Sequence, residues 1–147
     1  WGEWARGYCV DLNGKVHFEF SVNSNAQRPM LQMTGRYLVV ENAAQKRALW
    51  DVPTGQVEQT LLTGQNAGAF AAVNESEVPP VIAVHMERQR VTISQAGRWL
   101  STINAQHTLY AGTFYPDNRH LALLGENNTI AFYEWRTGSY KGSFKTG

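Results

Sequence analysis

The sequence predicts an all-β protein, and three observations carry that prediction. Four segments repeat one pattern: apolar alternation, a short polar turn ending in glycine, then a second alternation. They run Tyr8–Phe20, Ala48–Leu61, Val91–Ile103 and Ala131–Phe144, and their turn glycines, Gly14, Gly55, Gly97 and Gly138, lie 41, 42 and 41 residues apart. No stretch shows a helical period with caps at its ends.

Each repeated segment reads as a β-hairpin. In the second, Val57, Gln59 and Leu61 alternate with Gln56, Glu58 and Thr60, a period of 2 that belongs to a strand. Glycine at the turn supplies the positive φ that a tight reversal needs. Upstream of the last three hairpins lie apolar runs, Arg36–Glu41, Pro80–His85 and His120–Gly125. Runs of this length, rich in Val, Ile and Leu and bounded by polar turns, suit strands buried on both faces. A looser strand precedes each one: Met30–Met33, Ala69–Val73 and Tyr110–Phe114. Four antiparallel strands in 40 to 45 residues make one blade of a β-propeller. The expected organisation is three blades, over residues 27–62, 67–103 and 108–144, preceded by a half-blade over 5–20.

At the turns the residues resemble the WD-repeat β-propeller family. Leu49-Trp50-Asp51-Val52-Pro53-Thr54-Gly55 is similar to that family's Trp-Asp turn. Thr113-Phe114-Tyr115-Pro116-Asp117-Asn118 resembles its Phe-Ser-Pro-Asp-Gly stretch, and Asn128–Tyr133 its third strand, with Tyr133-Glu134 where Trp-Asp would stand. The third repeat departs from the pattern, with Thr92-Ile93-Ser94 at the dipeptide, and the first has Val10-Asp11. The family's Gly-His pair is reduced to Gly64-Gln65 and Gln106-His107. The resemblance covers nearly the whole chain. It implies structural roles for Trp50, Asp51 and Asp117, with Trp50 packed between blades and His107 in a buried hydrogen-bond network.

Three and a half blades leave an open ring, whereas propellers close with four to eight. The apolar face at each end needs a cover, because a large exposed apolar patch is an association site. Three arrangements supply one: a longer polypeptide of which this chain is part, a homodimer whose half-propellers sum to seven blades, or a partner protein adding strands. The chain opens with Trp1 in place of Met, so preceding residues are expected.

Composition excludes several function classes. Thirteen Lys plus Arg against twelve Asp plus Glu gives a net charge of +1, with no basic stripe for nucleic acid. A single cysteine, Cys9, excludes an internal disulfide and a multi-thiolate metal site, and it is expected to be buried as a small hydrophobe. No apolar stretch approaches the 18 residues of a spanning helix. Gly-x-Ser-x-Gly is absent, and Gly64–Gly68 lacks the ending of a phosphate loop.

Of the four histidines, His17, His85, His107 and His120, no pair has metal-ligand spacing, and His85 reads as a structural residue at a strand end. Glu75 and Glu77 flank a loop expected to be solvated. Asn74-Glu-Ser and Asn127-Asn-Thr are sequons that suit surface loops. Trp1 and Trp4 are expected to cover a seam beside the half-blade, and Trp99 is set apart from the turn tryptophan.

The expected function is a non-enzymatic protein–protein interaction scaffold with no cofactor and no metal. Its contacts would come from loops at one end of the blades, Asn42–Gln45, Gln65-Asn66, Glu87–Gln89, Gln106–Thr108 and Glu126–Asn128. The residues singled out are Glu87, Arg88, His107 and Glu126, because polar loops of mixed charge suit a wet protein interface better than a small apolar pocket. The alternative is a propeller enzyme, or a small-molecule or metal binder, using a central channel. A cytoplasmic location is expected, with periplasm and secretion left open.

Overall fold

The structure, a computed structural model, describes residues 4–23, 31–41, 47–61 and 70–147. Those residues form fourteen strands and one 3-10 turn, Glu126–Asn128. Contacts divide the chain into two compact units, Trp1–Gln65 and Asn66–Gly147.

The first unit holds a hairpin, β1 (Trp4–Val10) with β2 (Val16–Asn23), and a four-stranded sheet. That sheet runs in the order β3 (Leu31–Thr34), β4 (Tyr37–Glu41), β5 (Arg47–Asp51), β6 (Gln56–Leu61). The second unit holds two four-stranded sheets: β7 (Ala71–Asn74), β8 (Val81–Glu87), β9 (Arg90–Gln95), β10 (Arg98–Asn104), and β11 (Leu109–Phe114), β12 (His120–Gly125), β13 (Thr129–Glu134), β14 (Ser139–Lys145). Every pairing is antiparallel between consecutive strands. The four-stranded meander expected of a blade is thus formed three times.

All four turn glycines have positive φ, from 66° at Gly55 to 80° at Gly14. The third turn is the tightest. Arg98 pairs directly with Gln95, so Ala96 (φ 48°) and Gly97 (φ 76°) form a two-residue hairpin loop whose twist matches the strands.

Registers reveal a second repeat. Each outer strand carries one extra residue opposite its partner: His17 in β2, Glu58 in β6, Leu100 in β10 and Lys141 in β14. They are 41, 42 and 41 residues apart. A bulge bends and twists a strand, so the outer edge of every sheet turns at the same place. The bulge also corrects the simple alternation expected of Val57 and Gln59. Val57 lies opposite Trp50 and Gln59 opposite Leu49, so the two fall on opposite faces.

In the second unit the β7–β10 and β11–β14 sheets pack face to face, with β7 and β11 side by side. Ala72, Ala83, Val91, Ile93 and Ile103 of one sheet meet Leu109, Leu121, Leu123 and Tyr133 of the other, and Phe70 and Trp135 complete the core. At 25 cal/mol per Å² of apolar surface, each fully buried Ile or Leu contributes about 2 kcal/mol. In the first unit Phe18 and Cys9 pack against Leu38, Val40 and Trp50. Cys9 is a free, half-buried thiol in that cluster. No helix among the described residues is long and apolar enough to cross a membrane.

Burial differs between strands that read alike in sequence. Val81–His85 of β8 are buried continuously, as expected of a strand covered on both faces. β12 instead alternates, with Leu121, Leu123 and Gly125 buried and His120, Ala122 and Leu124 half-buried. Its apolar run is covered on one face only.

Candidate functional site

Three of the candidate loops, the β8–β9 turn, the β10–β11 linker and the β12–β13 turn, meet at one end of the second unit. The linker between β10 and β11 is bracketed by two turns. Ala105 donates its backbone N–H to Gln89 O (2.8 Å) and Leu109 donates to Arg88 O (2.7 Å), which ties the linker to the β8–β9 turn. Glu126 N–H donates to Thr108 O (3.0 Å), which ties it to the β12–β13 turn. Backbone hydrogen bonds therefore hold Glu87, Arg88, His107 and Glu126 on one fixed frame drawn from two sheets.

Glu87, Arg88 and His107 are exposed and Glu126 is half-buried. Glu87 pairs with Arg90 at 3.1 Å, a solvated contact worth a few tenths of a kcal/mol. Asn127 and Asn128 have φ of 59° and 54°, a left-handed conformation that Asn tolerates better than most residues. His107 is not in the buried network that the resemblance implies, because the linker is tied through its backbone and leaves the ring outside. Beneath it lies a cavity of about 30 Å³ lined by Gln106, His107, Tyr133, Tyr140 and Ser143, room for a water. Burial pushes the Tyr133 phenol up from its ordinary pKa. Asn42–Gln45 and Gln65-Asn66 lie outside the described residues, as do Trp1 and the side chain of Trp4.

The residues implied to be structural sit at the opposite end of their strands. Asp51 is buried, accepts hydrogen bonds from Arg36 Nε (2.5 Å) and Nη2 (2.8 Å), and accepts another from Thr54 Oγ1 (2.7 Å). Those donors, Arg36 foremost, hold its carboxyl at a pKa of about 2. Trp50 stacks on Phe18 with ring centroids 5.1 Å apart and planes 1° from parallel. Asp117 accepts from the backbone N–H groups of Arg119 (2.9 Å) and His120 (3.0 Å) and pairs with the His120 ring (2.5 Å), closing the β11–β12 turn. Its carboxyl is also held near 2, chiefly by His120.

Several residues with structural partners escaped the sequence reading. The arginine opposite the acidic turn residue recurs: Arg36 meets Asp51, and Arg119 meets Glu134 at 3.6 Å, with Lys141 adding a contact at 3.1 Å. In the β7–β10 sheet Gln95 stands in that place and donates to Pro79 O (2.6 Å). Glu77 is not a freely solvated loop residue. It accepts from Asn118 Nδ2 (2.9 Å) and Arg136 Nη2 (2.6 Å), a bridge between two sheets. Asn118 also accepts from Asn74, and Arg136 lies 4.2 Å over the Trp135 ring. Asn74 is buried, so its sequon is not on a surface loop. The partners lie 41 to 59 residues apart, and no local spacing signals them.

His85 is buried and stacked on Phe70 at 4.9 Å. Trp99 is 66% exposed and donates its indole N–H to Thr102 Oγ1. Among the described residues, no three His, Cys, Asp or Glu side chains are grouped to hold a metal ion.

No protein-family model and no curated protein matches the sequence. Solved structures do match, 385 chains in all. One is BamB from Moraxella catarrhalis, with a TM-score of 0.57 and 8% identity, covering 80% of this chain and 35% of that one. The chain thus spans about a third of that neighbour's length. BamB is a β-propeller, and at this identity the likeness speaks for fold alone. Sheets of four antiparallel strands, a repeated bulge and this likeness together assign the chain a β-propeller fold.

Proposed function

We propose that the chain is a non-enzymatic protein–protein interaction scaffold built on WD-type blades, acting within a larger chain or assembly. The observation that carries this reading is the backbone frame that unites the β8–β9 turn, the β10–β11 linker and the β12–β13 turn. A rigid frame lowers the ordering entropy that a recognition surface loses on binding. Its side chains, Glu87, Arg88, Gln89, His107, Glu126 and Asn127, are polar and of mixed charge, the chemistry of a protein-facing rim. Asp51 and Asp117 act in this reading as fasteners of the opposite turns, which leaves the loop end for contacts.

A photo-crosslinking side chain placed at Arg88 or at Glu126 should yield the same discrete protein adduct in the source cell. The same probe at Arg119, at the other end of the strands, should yield none. Adducts of equal intensity at all three positions, or none at the loop end, would overturn the reading.

A further inference from the structure

We infer that Asn13, at the tip of the β1–β2 hairpin, is a site of spontaneous deamidation through a succinimide, and that Asp11 sets its rate by holding the turn closed. This stands apart from the loop-end reading and uses residues of the first unit.

A succinimide forms when a backbone nitrogen reaches the side-chain amide carbon of the residue before it. A side chain on the following residue crowds that approach, and glycine has none. Asn13-Gly14 is the only Asn-Gly pair among ten asparagines, and each of the other nine precedes a residue with a Cβ. Asn13 is exposed, as are Leu12, Gly14 and Lys15 around it. A Cβ built on Gly14 would meet nothing within 4 Å, so nothing packs over the reacting bond. Among the described residues the Asn13 carboxamide makes no hydrogen bond; only its backbone N–H does. The amides of Asn74 and Asn118 are fastened instead, Asn74 Nδ2 to Asn118 and Asn118 Nδ2 to Glu77 (2.9 Å).

Water is the only co-reactant. The Gly14 nitrogen bonds to Asn13 Cγ and gives up its proton; the Cγ–Nδ2 bond breaks, and the amide nitrogen leaves with that proton as ammonia. Water then opens one of the two ring carbonyls. Opening at Cγ leaves aspartate, and opening at the main-chain carbonyl leaves isoaspartate, whose chain runs through the side-chain carbons.

The same turn holds the reaction back. Gly14 N–H donates to Asp11 O (2.9 Å), which keeps the attacking nitrogen engaged. Asp11 Oδ1 accepts from the backbone N–H groups of Asn13 (2.8 Å) and Lys15 (3.0 Å), and the His17 ring pairs with Oδ2 at 3.3 Å. These bonds, the one from Lys15 foremost, hold the Asp11 carboxyl below its ordinary pKa, so it stays charged over the turn at neutral pH. Attack waits for the turn to open.

The product acts on the hairpin. Turn length fixes the register of a hairpin. Isoaspartate adds a backbone carbon to this turn and sets a second carboxylate beside Asp11. The turn bonds to Asp11 then cannot all be kept, and the packing of Phe18 of β2 against Leu38, Val40 and Trp50 loosens. Loss of ammonia makes the change one-way.

Incubation of the full folded chain at neutral pH and physiological temperature, followed by ion exchange and peptide mapping, tests this. A species with an added negative charge should appear and map to Asn13, with isoaspartate in excess over aspartate. Hydroxylamine should cleave the incubated chain between Asn13 and Gly14, the mark of the succinimide. Asn13→Gln should abolish both signals, because glutamine would need a larger ring. Asp11→Ala should raise the rate about fivefold in the folded protein, since exposed turn hydrogen bonds are weak, and leave it unchanged in urea, where there is no turn to open. Circular dichroism matching the wild type checks that each variant is folded. In the separated product, amides of β1 and β2 should exchange faster than in the untreated chain. Charge gain spread over the other asparagines, or none at Asn13 once the urea-unfolded chain has converted, would overturn the site. Equal folded-state rates for Asp11→Ala and the wild type would overturn the part of Asp11, and unchanged exchange the loosening of the hairpin.

Discussion

The β7–β10 and β11–β14 sheets share a strand order, a bulge and a positive-φ glycine at the last turn, yet their burial is opposite in kind. In the first, β8 is buried on both faces; in the second, β12 is buried on one. The runs Val81–Val84 and Leu121–Leu124 are both continuous and apolar, so hydropathy alone assigns them the same environment. Local sequence makes the strand, and the neighbouring sheet decides how much of it leaves water.

That comparison can be sharpened most strongly by matched truncations. Ile93 is fully buried, and Phe132 holds the corresponding half-buried place. Ile93→Ala should cost about 2–5 kcal/mol through lost transfer energy and a cavity. Phe132→Ala should cost about 1 kcal/mol, because much of its ring is already in contact with water. Urea unfolding followed by far-UV circular dichroism checks the order; equal losses would show that the two faces are alike after all.

Backbone at the seam between these sheets comes next. A Cβ on Gly138 would lie 2.5 Å from Thr102 O, at a φ of 74° that a side chain disfavours. One on Gly112 would fall onto the Phe70 ring and 2.8 Å from Leu123 Cδ2. Gly138→Ala should cost about 2–3 kcal/mol and Gly112→Ala about 1–2 kcal/mol, since a ring can shift and a strand carbonyl cannot. A Phe70→Leu change should recover part of the loss in Gly112→Ala and none in Gly138→Ala.

The polar bridge has a smaller effect. Glu77→Gln removes the charge that Arg136 meets but keeps an acceptor for Asn118, so a small loss of stability is expected. Glu77→Ala should roughly double that. Both losses should appear in hydrogen exchange at Asn118 and Trp135 before they appear in global unfolding.

A pH-dependent effect distinguishes the turns. Asp51 has its pKa lowered to about 2 by Arg36 and Thr54. A carboxyl depressed in the folded state stabilises above its unfolded pKa, near 4, and that stabilisation is lost as pH falls from about 4 to 2. Asp51→Asn should flatten the fall of melting temperature across that window. Gln95→Ala, at the matching position of the uncharged turn, should leave the slope unchanged.

Repeat length, strand count and turn position were legible because they are local. Glycine at a tight reversal and period-2 alternation leave their mark within a dozen residues. That the β8–β9, β10–β11 and β12–β13 connections share one end was legible for the same reason, since a strand–turn meander sends alternate turns to one end. The bulges at His17, Glu58, Leu100 and Lys141 were not, because one extra residue only shifts the parity of an alternation already interrupted by polar side chains. Nor were the links from Glu77 to Asn118 and Arg136, or the burial of Asn74, since each joins residues more than 40 positions apart.

By itself, the sequence determined an all-β fold class, three four-stranded sheets behind a two-stranded hairpin, and where each reverses. Those outcomes follow from backbone conformations that a residue and its near neighbours select. Tertiary structure alone decided which faces are covered, which polar side chains are fastened across a seam and which aromatic residues stand in water. Burial is a property of two surfaces, and only the folded chain brings the second one into place.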